Sequence, residues 1–176
     1  MELGMDIEKS FGKFRKNISA RNFVEIGTCV LLVPVFAYRC IMADSLWSAV
    51  MNLEIAFAAV FIGIMLLMNG QISPSESDSL SLKNLKAEYE EALKTQISLL
   101  SKFRWWYIAP IALGVVGLKV EDILVKISNQ EYLLNDLGFL SVFVLGVFSL
   151  IYLNEVKTVG KFQDELKRVQ IFEFGD

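Results

Sequence analysis

Few residues in this sequence could do chemistry, and Glu54 is the foremost. It lies inside an apolar run, and no charged residue follows it until Glu76. An ionised side chain at the centre of a bilayer costs about 2.5–3.5 kcal/mol on the insertion scale. An acid in a span is therefore a proton or cation site, or half of an ion pair. Arg39 lies near the end of the preceding apolar run, and the chain turns between the two near Asp44. A hairpin there would let Arg39 and Glu54 meet as an intramembrane ion pair, which is the expectation. An interfacial carboxylate and a transport site are the alternatives.

Cys29 and Cys40 are eleven residues apart, about 16 Å along a helix axis, so they cannot bridge each other. His is absent, and two thiols alone do not make a zinc site. G-x-S-x-G, P-loop, H-E-x-x-H and C-x-x-C patterns are absent as well. No metal and no cofactor is expected, and the chain does not read as an enzyme. Trp105, Trp106 and Tyr107 follow Lys102 and Arg104 and could stack on a ligand. With Trp47 they serve equally as interface anchors in an aromatic belt at the headgroups, which accounts for them fully.

The framework expected to position these residues is all-α and integral to a membrane. Hydrophobic residues make up 54% of the chain and charged residues 21%, too little polar surface for a soluble domain of this size. The apolar residues also fall in long runs, as spans do. Four transmembrane helices are expected, at residues 23–42, 47–68, 105–118 and 137–153. The third is the shortest, with about 21 Å of uncharged helix against a hydrocarbon core of about 30 Å. Snorkelling by Lys119 would make up the difference, and a re-entrant segment is the competing reading. Pro34 and Pro110 predict bends. Ala56, Ala59 and Gly63 share a face that permits close helix approach.

Three further segments each carry one apolar face. Ile7, Phe11, Phe14 and Ile18 recur at spacings of four, three and four. Leu82, Leu85, Tyr89, Ala92, Gln96, Leu99 and Phe103 form a heptad seam that Gln96 interrupts, and Val159, Phe162, Leu166 and Val169 form a shorter one. The middle segment runs into residues 105–118 without a breaker, so stalk and third span are expected as one helix. Such seams must pack on one another, on the bilayer or on a partner. Leu82, Leu85, Tyr89, Leu99 and Phe103 are the expected docking stripe for a protein partner, and self-packing of the three segments is the plainer alternative. The chain thus divides into an amphipathic helix (1–21), a transmembrane hairpin (22–68), a linker and stalk (69–104), two spans with their outer connector (105–153) and an amphipathic tail (154–176).

With four spans, fourteen of the seventeen Lys and Arg residues fall on one face. That places both termini and all three amphipathic segments in the cytoplasm. Omitting the third crossing gives a poorer split. The formal charge of −3 argues against nucleic acid as a partner.

Three features occur in order: Arg21-Asn22-Phe23-Val24-Glu25, the stalk from Glu88 to Leu100, and Trp105-Trp106-Tyr107-Ile108-Ala109-Pro110. They resemble a group of small bacterial multi-span membrane proteins carrying R-N-x-x-E, then E-L-x-x-Q-x-x-L-L, then W-x-W-Y-x-x-P. The charged tail after the last span is similar too. The resemblance implies a bacterial cytoplasmic (inner) membrane protein, partnered with an extracytoplasmic-function sigma factor in an anti-sigma-like role. It departs from zinc-type anti-sigma modules, which need a cytoplasmic His and paired Cys. The expectation is a non-enzymatic protein that docks a protein partner or a copy of itself. The rival is a small transporter, channel or membrane-complex subunit using Glu54.

Overall fold

In the computed structural model, residues 2–69, 82–130 and 132–171 are described, and of residues 2–6, 69 and 82 the backbone alone. The linker expected after Asn69 lies outside them, as does the side chain of Leu82. Every described element is a helix: α1 (Glu2–Ile41), α2 (Leu46–Asn69), α3 (Leu82–Ser101), α4 (Ala109–Ser128), α5 (Leu134–Ile151) and α6 (Val159–Ile171). Two π-helical segments interrupt the path, Arg104–Ile108 before α4 and Tyr152–Thr158 before α6. Among the described residues three helical stretches are long and apolar enough to cross a membrane, Ile7–Ile41, Leu46–Met68 and Leu134–Ile171.

α1 is one rod of 40 residues, about 60 Å long. Its first half carries the polar-flanked stripe and its second half is apolar. Pro34 lies inside it without ending it, as membrane helices tolerate. α2 starts where Ser45 Oγ accepts the N–H of Ser48 at 2.9 Å, a side-chain cap on an otherwise orphan donor. The helix that holds the last expected span begins at Leu134, earlier than expected, and α4 continues through the charged residues to Ser128. The chain then reverses through Gln130 at φ 58°.

The stalk and third span are not one uninterrupted α-helix. α3 ends at Ser101, and Ala109 N–H bonds Arg104 O in π register. Pro110 explains the break. It has no N–H to offer the carbonyl one turn back, so the ladder there cannot close in α register.

Two apolar clusters hold the fold. In the first, Ile7, Phe11, Phe14 and Ile18 of α1 pack with Tyr89, Ala92 and Leu93 of α3 and Val169 of α6. Leu85, Phe162 and Leu166 close its edges. The three amphipathic segments have therefore used their stripes on one another. Tyr89 is central: its ring lies 5.0 Å from Phe11 and 5.5 Å from Phe14. Its hydroxyl donates to Glu165 Oε1 at 2.8 Å. Burial, then the bond to Glu165 and the carboxylate's charge, hold the Tyr89 phenol above its ordinary range.

In the second cluster, Cys29 of α1 meets Ala59, Ile62 and Leu66 of α2 with Leu99 and Trp106. The small-residue face does what its spacing predicts, since a Cβ on Gly63 would sit 3.7 Å from that of Cys29. α4 runs antiparallel to α2, and there the approach is closer still. A Cβ on Gly114 would collide with Ile55 Cγ1 and Glu54 Oε2, and one on Gly117 with Met51 Sδ. At the same end Trp47 Nε1 donates to Gly117 O at 2.9 Å, and Ser45 Oγ donates to Glu121.

Two outcomes are expected. Gly114→Leu must part α4 from α2, and overpacking of this kind destabilises by about 1–3 kcal/mol, read as an earlier unfolding midpoint in micelles. For Tyr89, the raised phenol pKa means that the folded state keeps a proton that the unfolded state gives up. Stability is therefore unaffected below about pH 10, where unfolded tyrosine titrates, and falls as the pH rises past it. Tyr89→Phe removes that part of the slope and costs about 1.5–3 kcal/mol at neutral pH, both measurable by denaturation across pH.

Candidate interfacial site

A polar layer separates the two clusters, and it assembles residues from three elements. Arg21 and Glu25 are one turn apart on α1, with Nε to Oε1 at 3.7 Å. The Arg21 guanidinium also donates to Asn22 Oδ1 at 3.1 Å and, from the same Nη2, to Gln96 Oε1 on α3 at 3.1 Å. Asn22 is 2% exposed and Gln96 0%. Gln96, which broke the heptad seam in the sequence, is the acceptor that α3 offers to the cation on α1. A polar residue at a seam position that fixes register is the signal that marks it. Its partner could not be read from the sequence, because the two are 75 residues apart.

The break after α3 supplies the rest. The last carbonyls of a helix have no intrahelical donor, and here side chains take them. Ser101 Oγ donates to Ser98 O at 3.1 Å, Trp106 Nε1 to Leu99 O at 2.9 Å, and Asn154 Nδ2 to Leu100 O at 3.0 Å. Asn154 comes from the second π segment. Arg104 Nε, on a half-exposed side chain, lies 3.5 Å from Glu155 Oε1, a buried oxygen that accepts no hydrogen bond. The two π segments therefore meet each other at the depth of the Arg21 cluster. Together they border a cavity of about 200 Å³ lined by Arg21, Glu25, Leu66, Trp106, Leu153 and Asn154, among others.

The expected site residues distribute as follows. Leu85, Tyr89, Leu99 and Phe103 do not form a free docking stripe. Leu85 and Tyr89 belong to the first cluster, Leu99 and Phe103 to the second. The physical reason is that two complementary stripes lie on the same chain. Trp105 stays exposed at 70%, beneath the Arg104 guanidinium 5.8 Å from its ring, as an interface anchor would. Trp47 is half-exposed and anchored to Gly117. Trp106 is buried, and Tyr107 stacks on Phe103 at 4.5 Å, so these two are packing residues rather than a belt.

Arg39 and Glu54 do not pair. Among the described residues the ion pairs involve other side chains, and Arg39 is exposed on α1. Glu54 sits on the side of α2 that faces α4, with its carboxylate against Gly114. Its Oε2 and Asn52 Oδ1 are buried without a hydrogen-bond partner. The ion pairing at this end forms instead around Asp136, 3.3 Å from Lys119 Nζ and 2.5 Å from Lys126 Nζ.

Comparison with known protein families, with curated proteins and with solved structures finds no match to this chain.

Gln96→Leu leaves the Arg21 guanidinium short of a buried acceptor, which costs about 1–3 kcal/mol. In a double-mutant cycle with Arg21→Gln, the two losses should fail to add by about 0.5–3 kcal/mol. Chemical denaturation of the four proteins measures both; additive losses would show that the contact contributes nothing.

Proposed function

We propose that this chain is a non-enzymatic four-span protein of a bacterial cytoplasmic membrane, with both termini in the cytoplasm, that docks a protein partner on its three-helix bundle. α4 carries Lys119, Glu121, Asp122 and Lys126 in its second half, which keeps it from being apolar throughout. Its first half, with the π segment before it, nevertheless lies beside α2 from Trp106 to Gly117. That supports a crossing, with the charged half at the outer boundary. The distribution of Lys and Arg supports the same orientation.

The observation that carries the docking reading is the Arg21–Gln96 contact. It fastens the bundle of α1, α3 and α6 to the spans, so that a change in the membrane reaches the cytoplasmic surface. Since the apolar seam is filled, the docking surface is the polar outside of α6, where Lys161, Asp164 and Arg168 border a shallow groove. In an anti-sigma-like role the partner would be an extracytoplasmic-function sigma factor, the association that the motif resemblance implies. The buried, unpartnered oxygens of Glu54 and Asn52 favour a second reading, a small transporter or channel subunit.

Two measurements test this. Thiol labelling of single-cysteine variants at Ser10, Asn129 and Gln163, in a chain with Cys29 and Cys40 replaced, should react from outside the cell at Asn129 alone. A photo-crosslinking residue at Asp164 should capture a soluble protein in living cells, and one at Phe57 should not. Adducts containing only copies of this chain would replace the partner with self-association. If Glu54→Gln abolishes function while the Asp164 adduct persists, the transport reading takes over.

A further inference from the structure

α5 is joined to the rest of the molecule in an unusual way. Only Asp136 among its residues is buried, and α5 contributes to neither apolar cluster. Its two ends are held by polar contacts. Asp136 meets Lys119 and Lys126 at one end, and Asn154 and Glu155 meet Leu100 O and Arg104 just past the other. Between these, Val142, Leu145 and Phe148 are 65–72% exposed. The cavity beside the Arg21 cluster opens under this helix. Leu150 of α5 and Leu153 of the second π segment line it together with Leu66, Phe103 and Trp106, and its polar lining includes Arg21, Glu25 and Asn154.

We infer that this cavity is a binding site for one phospholipid, with an acyl chain between α5 and the α2–π wall and the headgroup at Arg21 and Glu25. Three features select that ligand. The lining combines apolar side chains with the charged Arg21 and Glu25, which fits an amphiphile. The Arg21–Glu25 pair is neutral overall, which fits a zwitterionic headgroup whose phosphate meets the guanidinium and whose amine meets the carboxylate. The volume, about 200 Å³, is below the roughly 300–1,000 Å³ of sites for drug-sized ligands, so it admits part of one chain and the rest of the lipid lies outside it along the exposed face of α5. The inference rests on the proposed membrane orientation, which places this junction at the lipid–water boundary.

The test uses Trp106, a wall residue that is only 8% exposed. In the chain with Trp47→Phe and Trp105→Phe it is the sole indole. Reconstituted in nanodiscs of phosphatidylethanolamine with brominated acyl chains, it should lose most of its emission, because bromine quenches at short range and Trp106 lines the cavity. Leu150→Phe with Leu153→Phe fills the cavity and should restore the emission. A Trp106 that stays bright in brominated lipid overturns the inference without any cavity variant. Equal quenching with and without the filling substitutions, in protein whose melting transition is unchanged, overturns it too. Thiol labelling reports the orientation separately, so a dark or bright Trp106 in correctly oriented protein bears on the lipid site alone.

Discussion

A guanidinium set between two apolar clusters must bring its acceptors with it. Arg21 does so with Glu25 and Asn22 from its own helix and Gln96 from α3. The rest of the architecture depends on that requirement. It fixes the rotation of α1 against α3, and thereby directs the Ile7–Ile18 stripe into the first cluster and Cys29 into the second. A polar group buried without partners would cost more than most apolar contacts contribute, so the register has little freedom to slip.

The same level of the molecule holds both departures from α geometry. Where α3 gives way to α4, and where α5 gives way to α6, the backbone widens into a π segment. The carbonyls left over near the first are taken by Trp106 and Asn154. α3 and α6 are thus each joined to their apolar neighbour by an irregular turn, whereas α1 passes from its amphipathic to its apolar half without one.

Much of this was legible in the sequence, because hydrophobic periodicity reports faces directly. The stripes at Ile7–Ile18 and Val159–Val169 and the Ala56–Ala59–Gly63 face all follow from spacing alone. What the stripes pack against did not, since three complementary seams can close on each other or on something else. The Arg39–Glu54 pairing failed for a related reason. Being close along a hairpin says nothing about rotation, and α2 turns Glu54 toward α4. Gly114 and Gly117, which set that rotation, read in the sequence only as two glycines in an apolar run. The expected continuity of stalk and span failed at Pro110, whose missing N–H changes the ladder behind it rather than ending the helix.

α1 crosses the polar layer as one hydrogen-bonded helix from Glu2 to Ile41, while the other two routes across it are interrupted. The junction is therefore stiff along one side and compliant along the other two. A tilt of the apolar half of α1 would swing its amphipathic half as the far arm of a lever, with the two π turns as the points where α3 and α6 can yield. The fulcrum is Arg21.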